Sequence, residues 1–240
     1  MITLAIDTAT KTAGVALLDD DRILAEYFYD LAVNHSETVL PAVHRALERA
    51  GLGIADVGLI ALTVGPGSFT GLRIGASTVK GLALAAKTPV VGVSTLEALA
   101  YNAVGCPWAI CPLLDARKGE VYAGLYRADG EGYPEPLAKE RVATPGEIVP
   151  HVQGHALFLG DGLAAAAGLI AGRPGDITHF LPPNLQSIRA SSVAIIGRRR
   201  RQRGEALDLT TFVPRYLRRS EAEIRFGKER DGGALRSRGG

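Results

Sequence analysis

ITLAIDTATKTAGVALLDDD, Ile2 to Asp21, holds two apolar runs of strand length around a short polar turn, and Asp7 closes the first run. The same arrangement returns as WAICPLLDARKGEVYAGLYRADG, Trp108 to Gly130, where Asp115 ends an apolar strand before a polar turn and a second strand. The two aspartates stand 108 residues apart, and the repeat reads as a duplicated domain. RILAEYFYDL follows the first pair as a third strand, so three strands joined by short turns form an antiparallel meander.

Next comes NHSETVLPAVHRALERAGL, a helix in which Asn34 and Glu37 have capping-box spacing and Val39, Leu40, Val43 and Leu47 share one face. Gly51 stops this helix and Pro41 bends it. GLIALTV is a buried strand, a glycine-rich loop leads into a helix running to about Ala86, and PVVGV is another strand. The order β-β-β-α-β-α-β predicts a mixed sheet with crossover helices. In the second half ALFLGDG is a strand ending in Gly160, Asp161 and Gly162, and SSVAIIGRRRRQRG is a helix with a basic last turn. The end of the chain is polar and glycine-rich, and its last dozen residues are expected to be disordered.

The length of 240 residues suits one large domain or two of roughly 100 to 120 residues. Apolar residues make up 47% and charged residues 22%, the balance of a folded globular chain. MITLAIDTAT lacks the basic start of a signal peptide, and no apolar run approaches the roughly 18 to 20 residues of a membrane span. Cys106 and Cys111 lack C-x-x-C spacing, so a reducing, cytoplasmic setting is expected. Charge is unevenly placed: residues 189–240 carry 14 Lys and Arg against 6 Asp and Glu, while residues 1–188 carry 13 against 19. That basic end reads either as a contact for an anionic partner such as nucleic acid or as a solvated helix end with a loose tail.

A strand ending in a carboxylate before a tight hairpin is one way to present Mg2+ and phosphate, which makes Asp7, Thr8 and Thr10 candidates with Lys11 in reach. A strand-end aspartate capping its own hairpin explains the pattern equally well. The loop TVGPGSFTGLRIG, Thr63 to Gly75, fails both phosphate fingerprints. No lysine follows Gly71, and Gly65, Gly67 and Gly71 are one residue too widely spaced for G-x-G-x-x-G. It remains a sharp strand-to-helix turn capped by Ser68 or Thr70. Gly71 and Gly75, with Thr78, Gly81 and Ala85 near their stripe, let a neighbour approach closely, whether the sheet beneath or a helix of another subunit. His151 and His155 have H-x-x-x-H spacing, but Pro150 and Gly154 argue against one helical face. His35 fits a helix cap. There is no G-x-S-x-G elbow, and no cysteine has a plausible base nearby in sequence.

LAIDTATKTAGVAL, NHSETVLPAVHRAL, VGPGSFTGLRIGASTVKGLALA, VVGVSTLEALA, LLDARKGEVYAGLY and VPRYLR together resemble the TsaB (YeaZ) family, in order from Met1 to about Arg218. The resemblance implies an α/β, actin-like ATPase (ASKHA, ribonuclease H-like) fold of two related subdomains, each a mixed sheet with flanking helices. The expected division is 1–104, 105–220 and a polar tail 221–240. It implies a role in placing threonylcarbamoyladenosine next to the tRNA anticodon, as a non-catalytic scaffold and activator of the sister transferase TsaD. The alternative is a sugar-kinase-like, ATP-dependent phosphotransferase built on Asp7; a peptidase has no nucleophile or metal dyad to support it.

Aligned on the PxxGV strand, Thr95 and Leu99 take the positions of two metal-binding histidines of TsaD. Neither side chain replaces imidazole, so no metal is expected there. FLGDG is the one candidate adenosine turn, so Asp7, Thr8 and Thr10 are expected to be a remnant nucleotide cleft. ATP or ADP, if bound, belongs at the partner boundary. Both helices of the first half offer apolar or small faces, and a sheet covers one side of each. Val39, Leu40, Val43, Leu47, Gly71, Ile74, Gly75 and Thr78 are therefore the expected partner interface. The implied partners are TsaD as a heterodimer, TsaE in a larger complex, tRNA indirectly, and a second copy when TsaD is absent. Arg198, Arg199, Arg200, Arg201 and Arg203 are the candidate tRNA contacts.

Overall fold

Strands β1 (Ile2–Asp7), β2 (Ala13–Asp19) and β3 (Arg22–Tyr29) form the predicted antiparallel meander. Helix α1 (His35–Ala50) leads to β4 (Val57–Thr63), and α2 (Phe69–Ala86) leads to β5 (Val90–Val93). Both β4 and β5 add in parallel, giving the order β3-β2-β1-β4-β5. Short helix α3 (Thr95–Ala100) then crosses to the second half. The structure, a computed structural model, describes residues 1–30 and 35–218. Asn34 of the expected capping box and the expected tail 221–240 lie outside the described residues.

The second half repeats this plan. Strands β6 (Ala109–Arg117), β7 (Glu120–Ala128) and β8 (Pro134–Ala143) form a second antiparallel meander. After α4 (Pro145–Ile148), strand β9 (Ala156–Leu159) pairs parallel to β6. Helix α5 (Leu163–Ala171) precedes β10 (Thr178–Phe180), which pairs parallel to β9. Read from β8 the order is β8-β7-β6-β9-β10, the order and strand sense of the first sheet. The duplication seen around Asp7 and Asp115 is therefore a duplication of the whole sheet.

Helix α6 (Ala190–Gln202) lies in the expected second subdomain but packs across β1, β2, β4 and β5 of the first sheet. Side-chain size explains why. Strand side chains alternate between faces, and in the first sheet the small residues Ala5, Ala16 and Ala61 share one core with Val193, Ala194 and Ile196 of α6. A Cβ at Gly197 of α6 would stand 2.6 Å from the Ala61 Cβ, so only glycine permits this approach. The large residues Leu4, Ile6, Leu17, Ile60 and Leu62 fill the other face with α1 and α2. Central strand β1 is thus buried on both faces.

After α6 the chain returns as a strap. Leu207 N donates to Val90 O and Arg215 N to Val64 O, each at 2.7 Å, and Lys80 Nζ donates to the Phe212 carbonyl at 3.1 Å. Arg218 reaches the second sheet, donating to Ala116 O at 2.6 Å.

Candidate functional site

The site begins where the glycine-rich loop meets the β1–β2 turn. Ser68 caps α2, accepting from Gly71 N at 3.2 Å, and its own amide donates to Ala9 O at 2.7 Å. The Thr8 hydroxyl donates to Gly71 O at 2.8 Å. A Cβ at Gly67 would collide with Ala9 O, one at Gly71 with Thr8 O, and one at Gly75 with the Thr8 hydroxyl. The close neighbour that the glycine stripe admits is therefore the chain's own first turn.

That packing turns Asp7 and Thr8 inward, and neither has any exposed surface. Asp7 Oδ1 accepts from the Thr63 hydroxyl at 2.7 Å and from Ala9 N at 3.1 Å, while Oδ2 is buried without a hydrogen-bond partner. Burial pushes the Asp7 carboxyl up to about 6, against the pull of those two donors and the nearby charge of His35. His35 sits at the start of α1 with Nε2 2.9 Å from Thr10 O. Thr10 is half-buried and shares a 2.9 Å hydrogen bond with the Thr12 hydroxyl.

The matching turn in the second half is equally occupied. Gly160 N donates to Gln186 Oε1 at 2.8 Å and Gly162 N to Leu113 O at 3.0 Å, while Asp161 Oδ1 accepts from Asp115 N at 3.0 Å. Burial raises the Asp161 carboxyl; the charge of Asp115 adds to this and that of Lys11 opposes it. The Asp7 carboxylate is thus sealed and the Gly160 and Gly162 amides are spent on the protein, while Asp115 is exposed.

The helix faces divide differently from the prediction. On α1 the buried stripe is Val39, Ala42, Val43, Ala46 and Leu47, all in the core against the sheet. Leu40 is 52% exposed, because about 100° per residue carries it off the Val39–Val43 line. On α2, Gly71 and Gly75 are buried while Ile74 and Thr78 reach the surface. Val39, Val43, Leu47, Gly71 and Gly75, expected at the partner interface, are buried within the chain itself. The outer surface of the helix pair is Leu40, Ile74, Thr78 and Leu84, the last 80% exposed and missed from sequence because its apolar neighbours hid which side faces out.

The family model for TsaD, tRNA N6-adenosine threonylcarbamoyltransferase, matches residues 22–226. A Bacillus subtilis protein named tRNA threonylcarbamoyladenosine biosynthesis protein TsaB is 35% identical over 228 residues, covering 94% of this chain and 98% of that one. The crystal structure of YeaZ from Pseudomonas aeruginosa superposes with a TM-score of 0.78 at 30% identity, over 90% of this chain and 99% of that one. The chain belongs to the TsaB (YeaZ) family.

In this TsaB-family chain Thr95 and Leu99, expected at the sister family's histidine positions, have no exposed surface. Beside them a cavity of about 550 Å3 is lined by Ser94, Glu97, Tyr126, Glu140, Arg200 and Arg215. Its charges are matched internally: the Ser94 and Tyr126 hydroxyls donate to Glu140 Oε1, Arg215 pairs with Glu140, and Arg200 Nη2 lies 2.5 Å from Glu97 Oε2. Burial raises the Glu97 carboxyl against the pull of Arg200.

The basic end of α6 is turned largely to its own protein. Arg198 pairs with Asp21 at 2.8 Å, and Arg199 pairs with Asp129 at 2.6 Å and Glu131 at 2.7 Å over the Tyr133 ring. Arg200 also donates to Gly92 O at 2.8 Å. Of the expected tRNA contacts, Arg198, Arg199 and Arg200 are thus ion-paired with acidic residues of the same chain. Arg201 and Arg203 remain exposed. Among the described residues no helix is long and apolar enough to cross a membrane.

Proposed function

We propose that this chain is a non-catalytic subunit in the synthesis of threonylcarbamoyladenosine on tRNA, docking on the transferase TsaD and activating it. The observation that carries this reading is the complete burial of Asp7 and Thr8 beneath the chain's own loop, which leaves the family's nucleotide turn without a reachable carboxylate. The docking surface is the outer side of α1 and α2, where Leu40 of α1 is 52% exposed, Leu84 of α2 is 80% exposed, and Ile74 and Thr78 are partly exposed. Apolar side chains of that exposure on adjacent helices suit a helix-on-helix interface.

In this reading the complex works in the cytoplasm and includes TsaE, the same face pairs with a second copy when TsaD is absent, and tRNA reaches this chain indirectly. The chain carries no cofactor of its own, and any ATP or ADP sits at the boundary with TsaD.

The test is reconstitution. Purified TsaD and TsaE, supplied with tRNA, ATP and an activated threonylcarbamoyl donor, should form threonylcarbamoyladenosine only when this chain is added, and the isolated chain should show no ATP turnover. Product formation at the same rate without the chain, or ATP hydrolysis by the chain alone, would overturn the reading.

A further inference from the structure

The H-x-x-x-H pattern of His151 and His155 pairs the wrong histidines. Folding instead brings His155 to His179, with Nδ1 of the first 3.2 Å from Nε2 of the second. From this we infer a site for a borderline divalent cation such as Zn2+ or Cu2+ on the outer edge of the second sheet, with His155 and His179 as its two protein ligands and Trp108 as its wall.

Zinc–imidazole bonds of about 2.0 to 2.1 Å put adjacent tetrahedral donors about 3.3 to 3.4 Å apart. The nitrogens already stand at nearly that separation. With no ion present one ring donates N–H to the other, and the rings are close to coplanar, 11° apart. Histidine χ2 is a soft torsion, so a small rotation of each ring turns both lone pairs toward a common point, with the N–H moved to the far nitrogen.

The pair is held in place before any ion arrives. His179 lies on β10 and His155 immediately precedes β9, and the parallel register sets Ala156 against Thr178 and Leu157 against His179. Trp108 stacks on the His179 ring at 3.5 Å between centroids, 12° from parallel, and forms one side of the site. Arg173 Nη2 donates to Gly154 O at 2.8 Å, pinning the backbone just ahead of His155. His155 is exposed, so an ion has access. No group of three or more His, Cys, Asp or Glu that could hold a metal occurs among the described residues, so water completes the shell and the site is open. Imidazole donors with water favour zinc, copper and nickel over magnesium and calcium.

Trp108 is the chain's single tryptophan, so its fluorescence reads this site alone. Untagged full-length chain is titrated with Cu2+ while tryptophan emission is followed, and with Zn2+ by calorimetry. The expected result is saturable quenching, relieved by excess Zn2+, and one equivalent of Zn2+ bound. His155→Gln and His179→Gln should each weaken both by about tenfold or more, while His151→Gln leaves them unchanged. Circular dichroism confirms that each variant is folded, and exposed His155 is the variant that least disturbs the sheet. No saturable binding by the unsubstituted chain, equal binding by folded His155→Gln, or a loss in His151→Gln as large as that in His155→Gln would each overturn the assignment.

Discussion

The Thr8 hydroxyl donates to the Gly71 carbonyl at 2.8 Å, across 63 residues of chain, and a Cβ at Gly71 would strike the Thr8 carbonyl. The contact locks α2 to the first turn backbone to backbone. Gly71→Ala should therefore cost about 2 to 3 kcal/mol, since neither backbone has room to yield. Gly81 stands on the same helix with nothing within 4 Å of its Cβ position. Gly81→Ala should stabilise the free chain by roughly 0.5 to 1 kcal/mol through helix propensity and a less flexible unfolded chain. Urea midpoints of the two variants measure the contrast, and two changes of the same sign would contradict the packing described.

Asp7 predicts a pH-dependent variant. Its carboxyl is raised from 3.8 to about 6 in the folded chain, so the folded state holds that proton more tightly than the unfolded one. Stability is thus favoured below about pH 4 and lost as pH rises through about 6, a penalty on the order of 3 kcal/mol at neutral pH. Asparagine keeps an oxygen to accept from Thr63 and Ala9 but carries no charge. Asp7→Asn should raise the urea midpoint at pH 7.5 much more than at pH 4, and an equal shift at both would refute the argument.

The outer face of α1 and α2 is separable from the core beneath it. Leu40→Glu with Leu84→Glu should leave the monomer's melting temperature nearly unchanged, because both side chains already face water, and abolish capture of TsaD. Val43→Ala, in the core, should instead cost about 1 to 3 kcal/mol. Retained co-purification with TsaD in the double variant would remove this face from the interface.

Arg199 and Arg201 are two residues apart on α6 yet should behave differently. Arg199→Ala removes the ion pair to Asp129, whose Oδ1 keeps the Glu131 and Tyr133 amides, and takes the cation from the Tyr133 ring, for a loss of about 1 to 2 kcal/mol. Arg201 is exposed, and Arg201→Ala should cost less than about 0.5 kcal/mol. Thermal melts at low and high salt distinguish them. Charge reversal at Arg201 and Arg203 should alter the salt slope of tRNA binding by the assembled complex only if the basic end touches tRNA.

Local chemistry determined much of the architecture. Apolar runs of strand length in Ile2–Asp7 and Ala13–Asp19 around a polar turn specify a hairpin, the repeat around Asp115 specifies a second, and Ser68 with the glycines after it specifies where α2 begins. These signals are readable because each is set by neighbours within a few residues. The same holds for the loop's departure from the phosphate-loop pattern, where no lysine follows Gly71.

What faces what was decided only by the tertiary structure. Helical spacing places Leu40 beside Val43 in sequence, but the position of the sheet buries Val39 and exposes Leu40. A run of arginines reads as a surface for nucleic acid, but Asp21 and Asp129 from turns and Glu97 from α3 pair with its first three members, Arg198, Arg199 and Arg200. The crossing of α6 onto the first sheet depends on Ala5, Ala16 and Ala61 lying side by side on one face, and His155 meets His179 through strand register. Periodicity along a chain carries the direction of a face but not its neighbour, and the neighbour sets burial, charge pairing and therefore function.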